Sequence, residues 1–220
     1  MRSLIIGGTS GLGLEIAKQL HDKGDEVIIT GRKNPDEKGL QFQKLDLDIG
    51  TELENAIEVF VSPLPHIDRL IYSAGFYQEG NITELESRAI SNMLDVGLHA
   101  PIWFVRELLQ SQGQISEFVA ITSSSQYKPR EKEIIYTAAK AGLGHFANSL
   151  SLDARVSKTL VAAPEGMSTA FWRATGHQVK GFNDPVWVAA QIVEALSVDF
   201  SYAFVKILRN PARTEVVETR

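Results

Sequence analysis

Apolar residues are distributed along the chain in two alternating textures. Short runs such as Leu4-Ile5-Ile6, Phe118-Val119-Ala120-Ile121 and Leu160-Val161-Ala162-Ala163 are apolar at consecutive positions, which suits strands of a sheet covered on both faces. Between them lie longer stretches with helical spacing, in the first of which Leu12, Ile16 and Leu20 mark one face. This reading predicts strands near 3–6, 26–31, 42–46, 68–73, 116–122, 158–163 and 201–207, and helices near 12–22, 51–61, 84–110, 134–152 and 185–197. Strands alternating with helices from end to end are the pattern of a parallel sheet flanked by helices. No internal repeat and no linker rich in Pro, Gly or Ser divides the chain, so residues 1–220 are expected to form a single α/β domain. Asn34-Pro35-Asp36-Glu37-Lys38-Gly39 reads as an exposed turn, and 165–184 as the one long irregular segment.

Composition narrows the chemistry. There is no cysteine among the 220 residues, which removes disulfides, thiolate nucleophiles and Cys-ligated zinc. Lys and Arg number 22 against 27 Asp and Glu, a net charge of −5, so no global positive field favours a phosphate backbone and no nucleic-acid partner is expected. The five histidines, His21, His66, His99, His145 and His177, show no ligand spacing, and no catalytic metal is expected. No apolar run approaches the ~18 residues of a membrane span, and the stretch before Gly7 is too short for a signal peptide. A cytoplasmic protein with no membrane partner is the expectation.

The first strand runs into Gly7-Gly8-Thr9-Ser10-Gly11-Leu12-Gly13 and then a helix. Missing side chains there let the backbone N–H groups of a helix N-terminus approach a pyrophosphate, and let the helix pack close to the sheet. The turn as a whole, from Gly7 through Thr9, Ser10, Gly11 and Leu12 to Gly13, is thus a candidate dinucleotide cradle. A serine-hydrolase elbow would need glycine at position 12, where the chain has Leu12. At the end of the second strand an NAD site normally offers a carboxylate to the ribose 2′-hydroxyl. This chain has Gly31-Arg32-Lys33 instead; the two cations suit a 2′-phosphate and favour NADP(H) over NAD(H), or are simply a solvated loop pair. Asp46, at the end of the third strand, either borders the adenine or caps the next turn.

Tyr136 and Lys140 are four apart on a predicted helix and share a face. An ammonium beside a phenol favours the phenolate and brings it toward acid/base use; a buried tyrosine beside a snorkelling lysine is the structural alternative. Thirteen residues before Tyr136, Ser123 leaves an apolar strand in Thr122-Ser123-Ser124-Ser125, and strand ends are where catalytic groups gather. Ser124 and Ser125 read equally as turn residues.

Taken together these residues resemble the short-chain dehydrogenase/reductase family in its compact, non-extended form. The resemblance runs nearly end to end. It rests on the spacing of Gly7, Gly11 and Gly13, on Asp46-Leu47, on Asp68 and Ala74-Gly75, on Ser123, on Tyr136 with Lys140, and on Pro164 with Thr169. It implies a doubly wound Rossmann fold with a seven-stranded parallel sheet, a homodimer or homotetramer, and a carbonyl or alcohol substrate. By resemblance Tyr136 is the general acid/base, Ser123 orients the substrate oxygen, and Lys140 binds the nicotinamide ribose. Asp46, Leu47, Ala74, Gly75, Pro164 and Thr169 would line the cofactor, with Thr169 on its nicotinamide side.

Several positions depart from the family pattern. Ile6 stands for a threonine and Tyr72-Ser73 for two asparagines, and Pro164-Glu165 puts a carboxylate near the expected nicotinamide pocket. The family's proton-relay asparagine aligns with Gly97, leaving water, His99 or Asn92 as substitutes; His99 itself reads more simply as a helix-face residue. Met167, Phe171, Trp172 and Phe182 form either an apolar lid, which would favour a hydrophobic ketone, aldehyde or secondary alcohol, or ordinary core. Two rivals accompany this reading: an NADP(H)-binding regulatory or scaffold protein with impaired catalysis, and a sugar-nucleotide epimerase, for which the chain is short.

Overall fold

The computed structural model describes residues 1–172, 175 and 178–220. The chain runs β1 (Arg2–Ile6), α1 (Gly11–Asp22), β2 (Glu26–Gly31), β3 (Leu40–Lys44), α2 (Leu53–Val61), β4 (Arg69–Tyr72) and α3 (Ser87–Leu94). It continues through α4 (Ala100–Gln112), β5 (Ile115–Ile121), α5 (Ile134–Leu150), β6 (Val156–Pro164), α6 (Pro185–Ala195), β7 (Tyr202–Arg209) and β8 (Ala212–Thr219). The strands form one sheet in the order β3-β2-β1-β4-β5-β6-β7-β8. All neighbours are parallel except β7 and β8. The chain winds outward from β1 to β3, then returns to start the other half at β4. That reversal opens a crevice at the carboxyl ends of β1 and β4. This is the expected doubly wound α/β fold.

Alternation along the strands explains the two-sided core. Leu4 and Ile6 face one layer, with Ile57 of α2, Phe104 of α4 and Leu143 of α5. Ile5 faces the other, with Ile16 of α1 and Ile192 of α6. All eight of these side chains are excluded from solvent, so the sheet is covered on both faces as its continuous apolar runs require.

Two expectations need correction. The sheet has eight strands rather than seven. In β8 the adjacent Val216 and Val217 break the period of two, and Val216 is 61% exposed. Phe204 pairs with Glu218 and Val205 with Val216, so Val217 is the extra residue of a bulge. An exposed, bulged edge strand carries little apolar periodicity to read. The single helix expected over 84–110 is divided by a π-helical turn at Asp95–His99. Pro101, in the first turn of α4, has no N–H to return to the carbonyl of Gly97, so the ladder widens just before it.

At the amino edge of the sheet, register brings Ser3, Arg69, Glu117 and Lys158 side by side on β1, β4, β5 and β6. Arg69 is 6% exposed and bonds to the Ser3 hydroxyl at 3.1 Å and to the carboxylates of Asp25 and Glu117. Lys158 approaches Glu117 at 3.7 Å. Removing Arg69 would take from the largely buried carboxylates of Asp25 and Glu117 the buried cation they share. Arg69→Ala is therefore expected to cost about 3–5 kcal/mol in a urea denaturation curve; a change within ~0.5 kcal/mol would show that the pairing contributes nothing net.

Candidate active site

The crevice is built by glycines that allow close backbone approach. β1 leaves into Gly7 at φ +82°, where a Cβ would lie 2.6 Å from Ala74 N and Cα. Any side chain here would force the turns after β1 and β4 apart. The N-cap of α1, Ser10, makes no side-chain capping bond, and the first turn holds no acidic residue. The N–H groups of this turn are thus open to an anion. Thr169 reaches over Gly11, within 3.6 Å of where a Cβ would be, and the Thr9 hydroxyl packs against Gly31 at the end of β2. Arg32 and Lys33 follow in exposed positions. Gly7, Thr9, Ser10, Gly11, Gly13, Ala74, Gly75 and Thr169 therefore line one crevice, which fits a pyrophosphate-containing cofactor, while the Leu12 side chain packs into the core.

Three expected contributors sit differently. β3 ends at Lys44, and Asp46 lies beyond it with its Oδ1 accepting the Asp48 N–H at 3.2 Å, the turn-capping alternative. Leu47 is buried in the core. Pro164 ends β6, but Glu165 does not point a free carboxylate into the crevice. Its Oε1 accepts from Lys128 Nζ at 2.6 Å and its Oε2 from the Arg209 N–H at 3.0 Å. Burial pushes this carboxyl up, but those hydrogen bonds and the two cations outweigh it and hold the carboxyl below its usual range.

Ser123 follows the end of β5 in extended backbone, and its hydroxyl accepts the Ser125 N–H at 3.1 Å. Tyr136 and Lys140 project one turn apart from the start of α5, 7% and 5% exposed. Lys140 Nζ donates to the Ile121 carbonyl at 3.0 Å and lies 5.7 Å from the centre of the Tyr136 ring. It is also 3.6 Å from where a Cβ on Gly75 would stand. Burial raises the Tyr136 phenol to about 12, with the Ser123 hydroxyl pulling down and the Glu133 charge pushing up. Burial alone lowers Lys140 to about 8. The three side chains separated in sequence thus meet beside the cradle, as hydroxyl, protonated phenol and buried ammonium.

Sequence reasoning missed two residues of this neighbourhood. Tyr77, in the loop after β4, lies ring to ring with Tyr136 at 6.1 Å, Phe171 at 6.0 Å and Trp172 at 4.9 Å. Trp172 in turn meets Phe182 at 5.4 Å. Of the four residues considered for a lid, Phe171, Trp172 and Phe182 join this cluster, whereas Met167 packs against the core. Glu133, just before α5, binds both Ser125 and Tyr77. No local periodicity marks either residue, because their meeting depends on how three loops fold together.

The relay position is closed by packing. A Cβ on Gly97 would lie 2.8 Å from the Ala139 Cβ, next to Lys140 on α5. Tyr72, at the position of a family asparagine, is wholly buried and donates to the Val96 carbonyl of the π-helical turn. His99 is 49% exposed and paired with Asp95 at 2.8 Å, a helix-face residue. Asn92 keeps a buried Oδ1 with no hydrogen-bond partner among the described residues. His177 lies outside the described residues; among the described residues no three His, Cys, Asp or Glu cluster as metal ligands, and no helix is long and apolar enough to cross a membrane.

The family model for short chain dehydrogenases matches residues 2–180. An uncharacterized oxidoreductase of Staphylococcus epidermidis is 24% identical over 179 residues, 75% of this chain and 76% of that protein. A solved short chain dehydrogenase/reductase family protein superposes with a TM-score of 0.80 at 20% identity, covering 94% of each chain. A short-chain dehydrogenase from Sphingobium yanoikuyae, solved in complex with NADPH, has a TM-score of 0.78 at 19% identity, covering 89% of this chain and 84% of that one.

The contact at Gly97 generates a test. Gly97→Asn is expected to destabilise the fold by about 1–3 kcal/mol through overpacking, measured by urea unfolding, and to raise no activity. Adding Ala139→Gly should recover part of that loss; an Asn variant as stable as the parent would show that α5 yields freely.

Proposed function

Since the chain belongs to the short chain dehydrogenase family and is an oxidoreductase, we propose that it moves a hydride between NADP(H) and a carbonyl or alcohol carbon, with Tyr136 handling the proton. The observation carrying this reading is the convergence of Ser123, Tyr136 and Lys140 beside the glycine cradle. The cradle from Gly7 to Gly13 would hold the pyrophosphate, Ala74 and Gly75 the adenosine side, and Lys140 and Thr169 the nicotinamide side, with Asp46, Leu47 and Pro164 at the margins. Arg32 and Lys33, with no acid at Gly31, support a 2′-phosphate, and the NADPH complex of the Sphingobium relative fits that preference. When bound, this cofactor supplies or accepts the hydride.

The chain's own residues do the rest. Ser123 donates a hydrogen bond to the substrate oxygen and fixes its approach to the phenol. At neutral pH the raised phenol is protonated, the form that gives a proton to the oxygen of a carbonyl as it is reduced. Reduction is therefore the favoured direction near pH 7, and alcohol oxidation should accelerate as pH rises and the phenolate becomes available. The Lys140 ammonium, largely charged at neutral pH and losing its proton above about 8, favours the developing phenolate. The aromatic cluster of Tyr77, Phe171 and Trp172 over Tyr136 excludes water and supports a hydrophobic ketone or aldehyde rather than a sugar phosphate. A groove between α4 and α5, with Val105, Leu109 and Phe146 along it and Arg106, Asp153 and Arg155 at its polar side, is the surface we assign to the homodimer or homotetramer expected of the family.

The test is titration with NADPH and NADH followed by a carbonyl panel. NADPH should bind about tenfold or more tightly, and Arg32→Ala with Lys33→Ala should erase that preference. Tyr136→Phe should cut turnover by at least ~100-fold with NADPH affinity intact. Turnover surviving in the Phe variant would refute the assigned role, and NADPH binding with no reduction across the panel would favour a regulatory or scaffold protein.

A further inference from the structure

We infer that Glu133 is a positioning residue that ties the Ser123 turn, the Tyr136 helix and the Tyr77 loop into one frame and sets a negative charge beside the phenol. The inference rests on the role proposed for Tyr136. Glu133 is the residue before α5, where a carboxylate ordinarily caps its own helix, yet it makes no such bond. Its two oxygens are turned outward instead. Oε2 accepts the Ser125 hydroxyl at 2.8 Å and Oε1 the Tyr77 phenol at 3.3 Å.

Each bond reaches a different segment of the site. Ser125 is the residue whose N–H holds the Ser123 hydroxyl, so the carboxylate fixes the serine from one residue away. Tyr77 carries the ring that covers Tyr136. The backbone reinforces the same junction: Gly80 pairs with Glu133 in a parallel bridge, Gly80 N–H donates to the Lys132 carbonyl at 2.8 Å, and Thr137 N–H donates to the Glu133 carbonyl at 2.7 Å. Tyr136 is three residues further on, within the first turn of α5. The spacing between the hydroxyl and the phenol is therefore held by a carboxylate that touches neither.

The charge acts on the same phenol. Among the described residues, α5 presents Glu133 and Lys140 to this region, and the Lys140 ammonium is engaged by the Ile121 carbonyl. The turn after β5 contributes Ser123 and, on Ser124, the guanidinium of Arg130 at 3.1 Å. The loop after β4 contributes the carboxylate of Glu79 and Tyr77, whose one phenol proton is shared between Glu79 at 2.8 Å and Glu133 at 3.3 Å, and the segment after β6 contributes the uncharged rings of Phe171 and Trp172. Glu133 is the carboxylate whose field raises Tyr136. A negative charge beside a phenol disfavours phenolate and keeps the proton on the oxygen that must donate it.

Two substitutions separate the roles. Glu133→Gln keeps one oxygen to accept from Ser125 and offers an NH2 that can donate to the Tyr77 phenol oxygen, but removes the charge; Glu133→Ala removes both contacts and charge. Tyrosinate absorbance at rising pH, taken as the difference between each protein and its Tyr136→Phe counterpart, reads the Tyr136 transition without any substrate. In Glu133→Gln that transition should move down by about 0.5 pH unit or more. In Glu133→Ala, on a carbonyl reduced by the parent, kcat should fall about tenfold or more with NADPH affinity unchanged, and Gln should restore most of it. An unmoved transition in the Gln variant, or parental kcat in the Ala variant, overturns the inference. Should Tyr136→Phe retain turnover, the proposed function fails instead, and the absorbance shift still reports on Glu133 alone.

Discussion

A buried ammonium is the constraint from which the arrangement follows. Lys140 carries its charge at 5% exposure, and a cation taken out of water is tolerated only where an oxygen replaces its hydration. The Ile121 carbonyl does so, at the last residue of β5. That bond can form only if α5 lies across the carboxyl end of β5, and this placement brings Tyr136, one turn earlier, up to the serine that follows the same strand. The glycines complete the condition. Gly75 leaves open the space beside Nζ, and Gly7 lets the turns after β1 and β4 touch. The lysine thus links a helix, a strand end and the glycine crevice, and the chemistry of the phenol depends on that linkage.

The two ends of the sheet solve opposite problems. At the amino edge, Ser3, Arg69, Glu117 and Lys158 are in register and the charges satisfy one another in a closed network. At the carboxyl edge the strand ends are left with hydrogen-bonding capacity in reserve: an uncapped α1 N-terminus and a tyrosine and lysine held apart from bulk water. Burial at this end acts on the two titrating groups in the same sense, toward their neutral forms; at Tyr136 the Ser123 hydroxyl partly offsets it and the Glu133 charge adds to it, and at Lys140 burial acts alone. A closed network gives rigidity, whereas an unsatisfied edge gives a place for a ligand.

How much of this was legible in the chain depended on the range of the signal. Strand runs such as Leu4-Ile5-Ile6 and the glycine turn are local patterns, and the sheet with its crevice followed from them. Ser123, Tyr136 and Lys140 were legible because strand end and helix face are themselves local properties, even though their meeting is not. The eighth strand was not, because the bulge at Val217 and the exposure of Val216 leave no period to detect. The interrupted helix over 84–110 was hidden for a different reason: apolar spacing continues through the π-helical turn, and only Pro101 marks the fault. Glu133 and Tyr77 were invisible because their contacts join loops that are unrelated in sequence.

The residues that depart from the family pattern are structurally compensated rather than simply lost. Gly97 has no side chain because Ala139 fills its space, so the position of the missing asparagine is a packing contact between the π-helical turn and the helix that bears Tyr136. Widening the turn frees the Val96 carbonyl, and Tyr72 supplies the hydrogen bond it would otherwise lack. Glu165, which in isolation is a charge beside a cofactor pocket, is drawn instead to Lys128 and the end of β7. In each case the changed residue has a partner that is itself changed or recruited, which means that replacing any one of them by its family counterpart, leaving the partner as it stands, would open a clash or leave a buried polar group unpaired.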